Sequence, residues 1–264
     1  MNQQKQKLIS HLPLGQFVSR RTLLQQGFSS HALDNYLKSG VLKSLVRGIY
    51  MRQESKLSWQ GAVASLPSLL EDTVAVGGMT ALELQGFAQN LSFANQRNIH
   101  IYSSEYCPVR VKVIFKAIAG VELCWHRTSR LWEKHSQDAL FLSEHQWQDG
   151  ATPMLVSAPE QAILELLMTL PEAISFEHTE QLMQGLTQLS PRKLDVLLKN
   201  CKSVKVKRLF FLFADRLNYP WRKKLDVSHY SLGSGKRVLA KEGKLDTRYQ
   251  ITVPKSFAGE YIGG

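Results

Sequence analysis

Residues 19–51 run Ser19-Arg20-Arg21-Thr22-Leu23-Leu24-Gln25-Gln26-Gly27-Phe28-Ser29-Ser30-His31-Ala32-Leu33-Asp34-Asn35-Tyr36-Leu37-Lys38-Ser39-Gly40-Val41-Leu42-Lys43-Ser44-Leu45-Val46-Arg47-Gly48-Ile49-Tyr50-Met51. Two helix starts and two helix stops are written there. Ser19 is an N-cap for a short helix over 20–26, because a serine oxygen accepts an otherwise orphaned backbone N–H, and Gly27 ends it. Ser29-Ser30 open a second helix, His31 to Ser39, which Gly40 stops. On it Leu33, Tyr36 and Leu37 fall at i, i+3 and i+4 and predict a buried face, leaving His31, Asp34, Asn35 and Lys38 outside. Val41 to Val46 reads as a strand, Arg47-Gly48 as its turn and Ile49-Tyr50-Met51 as the return.

Helix, tight turn, helix and hairpin make the outline of a winged helix-turn-helix over residues 1–56, with Leu8, Ile9 and Leu12 offering a further apolar stripe. Its chemistry suits duplex DNA. The second helix leads with its N-terminal end, whose dipole and hydroxyls at Ser29 and Ser30 favour phosphate. Arg20, Arg21, Lys38, Lys43, Arg47 and Arg52 neutralise backbone charge. Asn35, with His31 beside it, is the candidate for reading a base edge, since an amide pairs bidentately with adenine. The competing reading of such a unit is a protein-docking module.

Charge is segregated along the 264 residues. The whole carries a formal +11, with +7 in residues 1–56, −2 in 57–150, −5 in 151–191 and +12 in 192–255. Two basic blocks flank an acidic middle, which favours a polyanionic partner over a generally basic surface. Hydrophobic residues are 44% and charged residues 21%, which excludes wholesale disorder. The longest apolar run is Leu209 to Ala214, far short of the roughly 20 residues of a membrane span. Met1 to Lys5 leads into no apolar segment, and Cys107, Cys124 and Cys201 lie far apart with no C-x-x-C. A cytoplasmic protein without a disulfide framework is expected.

Residues 57–264 read as a mixed α/β region, with a division near 150. Ser58 caps a helix to Leu70, and Val74-Ala75-Val76 is a short buried strand. Gly77-Gly78 then make a tight turn into a Thr80-capped helix. Strands are expected at Ile99–Tyr102, Val109–Phe115 and Val121–Trp125. Ser157-Ala158-Pro159-Glu160 reads as a capping box, and Ser190 and Ser203 open two more helices. In the last of these Val206, Leu209, Phe210, Phe213 and Leu217 form the apolar stripe, while Lys202, Lys205, Lys207 and Arg208 crowd the first turns. Cations there oppose the helix dipole by about 0.3–1 kcal/mol each at exposed sites, which points to a second basic patch with Lys236 and Arg237. Arg248 to Val253 alternates as a strand with Tyr249, Ile251 and Val253 inward.

Other chemistries are weaker. Gly235-Lys236 is no phosphate-binding P-loop, because position 230 is Tyr and position 237 is Arg, although the backbone amides there suit an anion nest. Cys124 and His126 share a strand face without partners at metal-ligand spacing, and His135 and His145 do not supply them, so no metal and no cofactor is expected. Glu242-Gly243-Lys244 with Asp226 upstream has the form of a metal-dependent nuclease, the remote alternative; a turn between two strands accounts for it as well.

Six stretches together resemble the AbiEi-type antitoxins of type IV toxin–antitoxin (abortive infection) systems. They are Leu42 to Tyr50 with Arg47-Gly48-Ile49-Tyr50; Val76-Gly77-Gly78 with Thr80 to Gly86; and Ser157 to Ala162 with Glu165-Leu166. The others are Val204 to Phe210, Leu232 to Arg237, and Tyr249 to Pro254. Each is short; their shared order along nearly the whole chain makes the resemblance specific. It implies a winged helix that binds inverted repeats at its own promoter and represses it. It further implies a C-terminal domain that counteracts a nucleotidyltransferase toxin without a stable complex, and a second basic region that helps hold the operator. The chain is not itself such a toxin: after Gly233-Ser234 it offers Asp246-Thr247-Arg248, with arginine where a second metal-binding carboxylate is required. The alternative is a plain winged-helix transcription regulator whose C-terminal region senses a ligand or a partner.

Overall fold

The computed structural model describes residues 3–88, 96–133 and 141–259. In chain order the first elements are α1 (Gln3–His11), β1 (Val18–Ser19), α2 (Arg20–Gln25), α3 (Ser30–Lys38), β2 (Leu42–Val46) and β3 (Ile49–Arg52). Next come α4 (Trp59–Ser65), β4 (Val74–Val76), α5 (Gly78–Leu84), β5 (Arg97–Ser103), α6 (Val109–Lys116), β6 (Val121–Arg127), β7 (Leu142–His145) and β8 (Met154–Ser157). The last are α7 (Pro159–Thr169), α8 (Phe176–Gln184), α9 (Pro191–Asn200), α10 (Val204–Leu217), β9 (Arg237–Val238), β10 (Lys244–Asp246) and β11 (Ile251–Val253). The chain divides into two compact units. The first holds residues 1–76, 92–126 and 144–156, and the second holds 77–91, 127–143 and 157–264.

The first unit opens with the expected winged helix. Thr22 N–H donates to Ser19 Oγ at 3.0 Å and Ala32 N–H to Ser29 Oγ at 3.1 Å, so both predicted caps are made. β1, β3 and β2 form an antiparallel sheet in that order. Leu8, Leu12, Val18, Leu23, Phe28, Leu33, Leu42 and Tyr50 form one buried cluster, with Tyr36, Leu37 and Val41 packed against it. At about 1.5–3 kcal/mol per fully buried large side chain, that cluster is what holds so small a module together. A second sheet has the order β6-β5-β4-β8-β7, with β4 antiparallel to β5 and parallel to β8. α4 starts at the Ser58 cap and ends at Ser65, giving way to a 3₁₀ turn over Leu66–Ser68 rather than continuing to Leu70.

Residues 109–115 are a helix, not the expected strand. Their alternation of valine with polar residues satisfies a period of two. The longer set Val111, Ile114, Phe115 and Ile118 satisfies i, i+3, i+4, i+7, and those four are buried. Pro108 stands in extended conformation at the N-cap, where its missing N–H costs nothing.

In the second unit α7 packs against α5, α9 and α10. Ser157 does not cap α7, whose N-cap is Ala158 with no side-chain bond. Its hydroxyl turns to Glu165 Oε1 at 3.2 Å instead. α5 begins at Gly78, two residues before Thr80, which is fully buried within the helix. α10 is buried on every side from Val206 to Ala214, wider than the predicted stripe; Phe210 and Phe211 stack with Trp221 and Tyr249, and Phe213 meets Phe257 edge to face. The final strand is shorter than its alternation suggested, Ile251–Val253, because Gln250 sits at φ +52°. β9 and β10 are not a hairpin: both flank β11, β9 in parallel and β10 antiparallel, so the Glu242 turn crosses over rather than folding back.

Candidate nucleic-acid interface

α3 presents Ser30, His31, Asp34, Asn35 and Lys38 to solvent, while Leu33 on its opposite face is fully buried. Asn35 Nδ2 lies 3.1 Å from His31 Nε2, one turn back, and the amide oxygen stays open. Lys38 ends the helix, where a cation suits the dipole. Among the described residues neither Lys38 nor Arg47 has a partner, and Arg47 stands exposed at the turn between β2 and β3.

The other cations expected to meet phosphate are already engaged. Arg20 Nη1 donates to Tyr50 Oη and to Asp34 Oδ1, both at 3.2 Å. Those bonds, Tyr50 foremost, raise the guanidinium pKa and tie α2, α3 and β3 together. Arg21 pairs with Glu71 at 3.2 Å, both largely exposed, an interaction worth little in water. Lys43 Nζ donates to Gln53 O at 2.8 Å and Ser55 O at 2.7 Å, which pins the base of the wing. Arg52 pairs with Glu54. Of the expected phosphate contacts, Lys38 and Arg47 are free to make them directly; Arg20 and Lys43 serve the scaffold.

The second basic patch divides in the same way. Lys202, Lys236 and Arg237 are exposed. Lys205 Nζ donates to Met168 O at 3.0 Å and lies 3.7 Å from Glu172, with its pKa lowered by burial. Lys207 and Arg208 are buried at 6% and 2% exposure, because α10 is wrapped by its own unit. They therefore do not contribute to an exposed patch, and Arg208 spends its guanidinium on backbone carbonyls.

Sequence reasoning missed the three cations of α6. Arg110, Lys112 and Lys116 are all exposed, beside Val109 at 75% and Val113 at 49% exposure. The signal was the i, i+3, i+4, i+7 set described above, masked by the shorter alternation.

The groups considered for catalysis or metal binding have local duties. His100 Nδ1 lies 2.9 Å from His126 Nε2, the rings stack 5.1 Å apart, and burial pushes the His100 pKa down to about 4. Cys124 is on the same strand as His126, and no three His, Cys, Asp or Glu side chains converge among the described residues. His135 lies outside the described residues. Asp226 accepts from Ser228 N–H at 2.9 Å, and Glu242 is exposed in the turn before β10. Asp246 accepts from Tyr249 N–H at 2.8 Å. Glu165, fully buried, accepts from Gly78 N–H at 2.9 Å, Gln161 Nε2 at 2.8 Å and Ser157 Oγ; burial outweighs these bonds and raises its pKa to about 7.

Two family descriptions match this architecture. Residues 1–93 match "Transcriptional regulator, AbiEi antitoxin N-terminal domain", and residues 111–254 match "Transcriptional regulator, AbiEi antitoxin, Type IV TA system". The chain belongs to the AbiEi antitoxin family. As a member of that family it is a transcriptional regulator of a type IV toxin–antitoxin system, built from a winged-helix-like N-terminal domain and a mixed α/β domain. The AbiEi chain is similar in fold to the crystal structure of the RV2827C protein from Mycobacterium tuberculosis, with a TM-score of 0.57 and 15% identity over 91% of this chain and 86% of that one. No curated protein matches it at significant similarity. No helix among the described residues is long and apolar enough to cross a membrane.

Proposed function

We propose that this antitoxin represses its own operon by binding inverted repeats in its promoter through residues 1–56, and that residues 57–264 counteract a cognate nucleotidyltransferase toxin without a stable complex. The protein acts in the cytoplasm, on duplex DNA, with no cofactor. The observation that carries the DNA reading is the pairing of an exposed polar face on α3, bearing His31, Asn35 and Lys38, with an unpartnered Arg47 at the wing tip. A helix of nine residues enters a major groove end-on, while the wing cation meets the flanking phosphate. Two such readers on a two-fold axis match an inverted repeat. The +12 block supplies further phosphate contacts through Lys202, Lys236 and Arg237.

Gel retardation of the upstream region by the purified chain tests this, with log affinity followed against log salt. Wild type binds with a steep slope. Arg47→Ala lowers affinity for specific and random duplex alike and reduces the slope by about one counterion. No retardation at low ionic strength overturns the repressor reading. Co-expression with the toxin encoded beside it tests the second half: the antitoxin restores growth, and Arg47→Ala restores it equally.

A further inference from the structure

Arg208 carries a buried positive charge that no acidic side chain balances. It sits on the second turn of α10 at 2% exposure. Its Nε donates to Leu232 O at 2.8 Å, Nη1 to Gly235 O and Gln250 O at 2.8 Å each, and Nη2 to Gly233 O at 3.2 Å. Four carbonyls accept four of the guanidinium's five N–H donors, and not one of these partners is a carboxylate. Burial, and after it the like charge of Arg237, pulls the guanidinium pKa down. A buried cation held by dipoles alone leaves uncompensated positive potential above it.

What lies above it is the loop from Leu232 to Arg237. Gly233 stands at φ +63° and Gly235 at φ +76°, while Ser234 between them is not left-handed. A glycine-rich turn with two left-handed residues suits an anion-binding nest, in which successive backbone N–H groups converge on one ligand. The carbonyls of Leu232, Gly233 and Gly235 are taken by Arg208. The N–H groups of Gly233, Ser234, Gly235 and Lys236 make no hydrogen bond among the described residues. All four residues are exposed, as is Arg237. A Cβ on Gly233 would meet Val204 Cγ2 at 2.9 Å, so the loop is seated against the first residue of α10, at the positive end of its dipole.

We propose that residues 233–237, organised from beneath by Arg208, bind a phosphate group through these four amides and the side chains of Lys236 and Arg237. Arg208 is the positioning residue: it draws carbonyls inward and so leaves amides outward. As a contact to the duplex backbone, the proposal rests on the DNA reading above. A free phosphate-bearing nucleotide offers the same chemistry.

Amide resonances of the full-length ¹⁵N-labelled protein, titrated with inorganic phosphate and separately with duplex from the upstream region, test it. Resonances of Gly233 to Lys236 move with both probes when the backbone of DNA is the ligand. They move with phosphate alone when a free phosphate compound is. Lys236→Ala lowers the salt slope of duplex binding by about one. Arg208→Lys keeps the charge but loses the planar fork, so the phosphate-induced shifts shrink while the far-ultraviolet circular dichroism is retained. If that variant does not fold, Lys236→Ala and the wild-type shifts carry the test. Amides that respond to neither probe, in a protein whose duplex binding Arg47→Ala still weakens, overturn the phosphate site and leave the winged-helix reading standing. Amides that respond to phosphate in a protein that retards no duplex do the reverse.

Discussion

Asn35 and Glu165 show how differently single side chains are committed in this chain. Asn35 is held by one hydrogen bond to His31 on an exposed face, so in the proposed DNA complex turning to a base edge costs it only one contact. Asn35→Ala is expected to cost about 1–3 kcal/mol against the correct operator and almost nothing against random duplex; a competition titration with both DNAs measures the ratio. Glu165 is enclosed, and its effect reads out in pH. Its folded pKa of about 7 lies above its ordinary 4.5, so folding takes up a proton between those values and ionisation opposes the fold. The stability it contributes is present below pH 4.5 and lost as pH rises through 7, up to about 3 kcal/mol at 1.36 kcal/mol per unit. His100 has the opposite sign. Its pKa is depressed to about 4 from 6.5, so its contribution is present above pH 6.5 and lost as pH falls through 4. Between pH 4.5 and 6.5 the two oppose each other. Urea midpoints of Glu165→Gln should therefore rise up to pH 6.5 and then level, where the wild type falls between 6.5 and 7.5.

At the scale of elements, α6 separates what sequence pattern conveys from what packing decides. A strand would place residues 109, 111, 113 and 115 on one face; in the helix Val111 and Phe115 are buried while Val109 and Val113 are exposed. Phe115→Ala should cost about 3–5 kcal/mol, and Val109→Lys or Val113→Lys less than about 0.5, by denaturant melts. Equal losses at Val113 and Phe115 would speak for a strand. The winged helix was legible because its caps and stops are local: Ser19, Gly27, Ser29 and Gly40 act on their own neighbours. Arg208 was not. Lysine and arginine crowding a helix start read as a surface patch until the carbonyls of residues 232, 233, 235 and 250, far along the chain, are seen to surround one of them. The order of β9, β10 and β11 was hidden for the same reason, since parallel pairing across a crossover leaves no turn signature. Close backbone approach is another tertiary fact. A Cβ on Gly61 in α4 would meet Gly15 O at 1.9 Å, so Gly61→Ala should lower the melting temperature despite alanine's better helix propensity.

For the whole molecule, the charge map was readable from sequence, and the route of the chain through its first unit was not. Gly15 N–H donates to Ser55 Oγ at 2.6 Å, Phe17 N–H to Ser65 Oγ at 2.9 Å, and Thr22 Oγ1 to Ser68 O at 3.0 Å. Two of these reach past residue 56 to the end of α4 and the turn that follows it. A fragment spanning 57–264 strips those partners from α4, and its amides over 59–68 should exchange with solvent far faster than in the intact chain. Point variants at Arg47 and Asn35 therefore test the proposed DNA reading more cleanly than truncation does.

Gln16 and Thr152, joined by Thr152 Oγ1 to Gln16 Oε1 at 3.2 Å, are separated by 136 positions. During synthesis at about 5–20 residues per second, the segment that carries Gln16 leaves the ribosome roughly 7–27 s before its brace does. A nascent chain thus completes α3 well before the stretch between α1 and β1 gains its brace from Thr152. Translation speed across the intervening message sets how long the half-finished protein stays in that state.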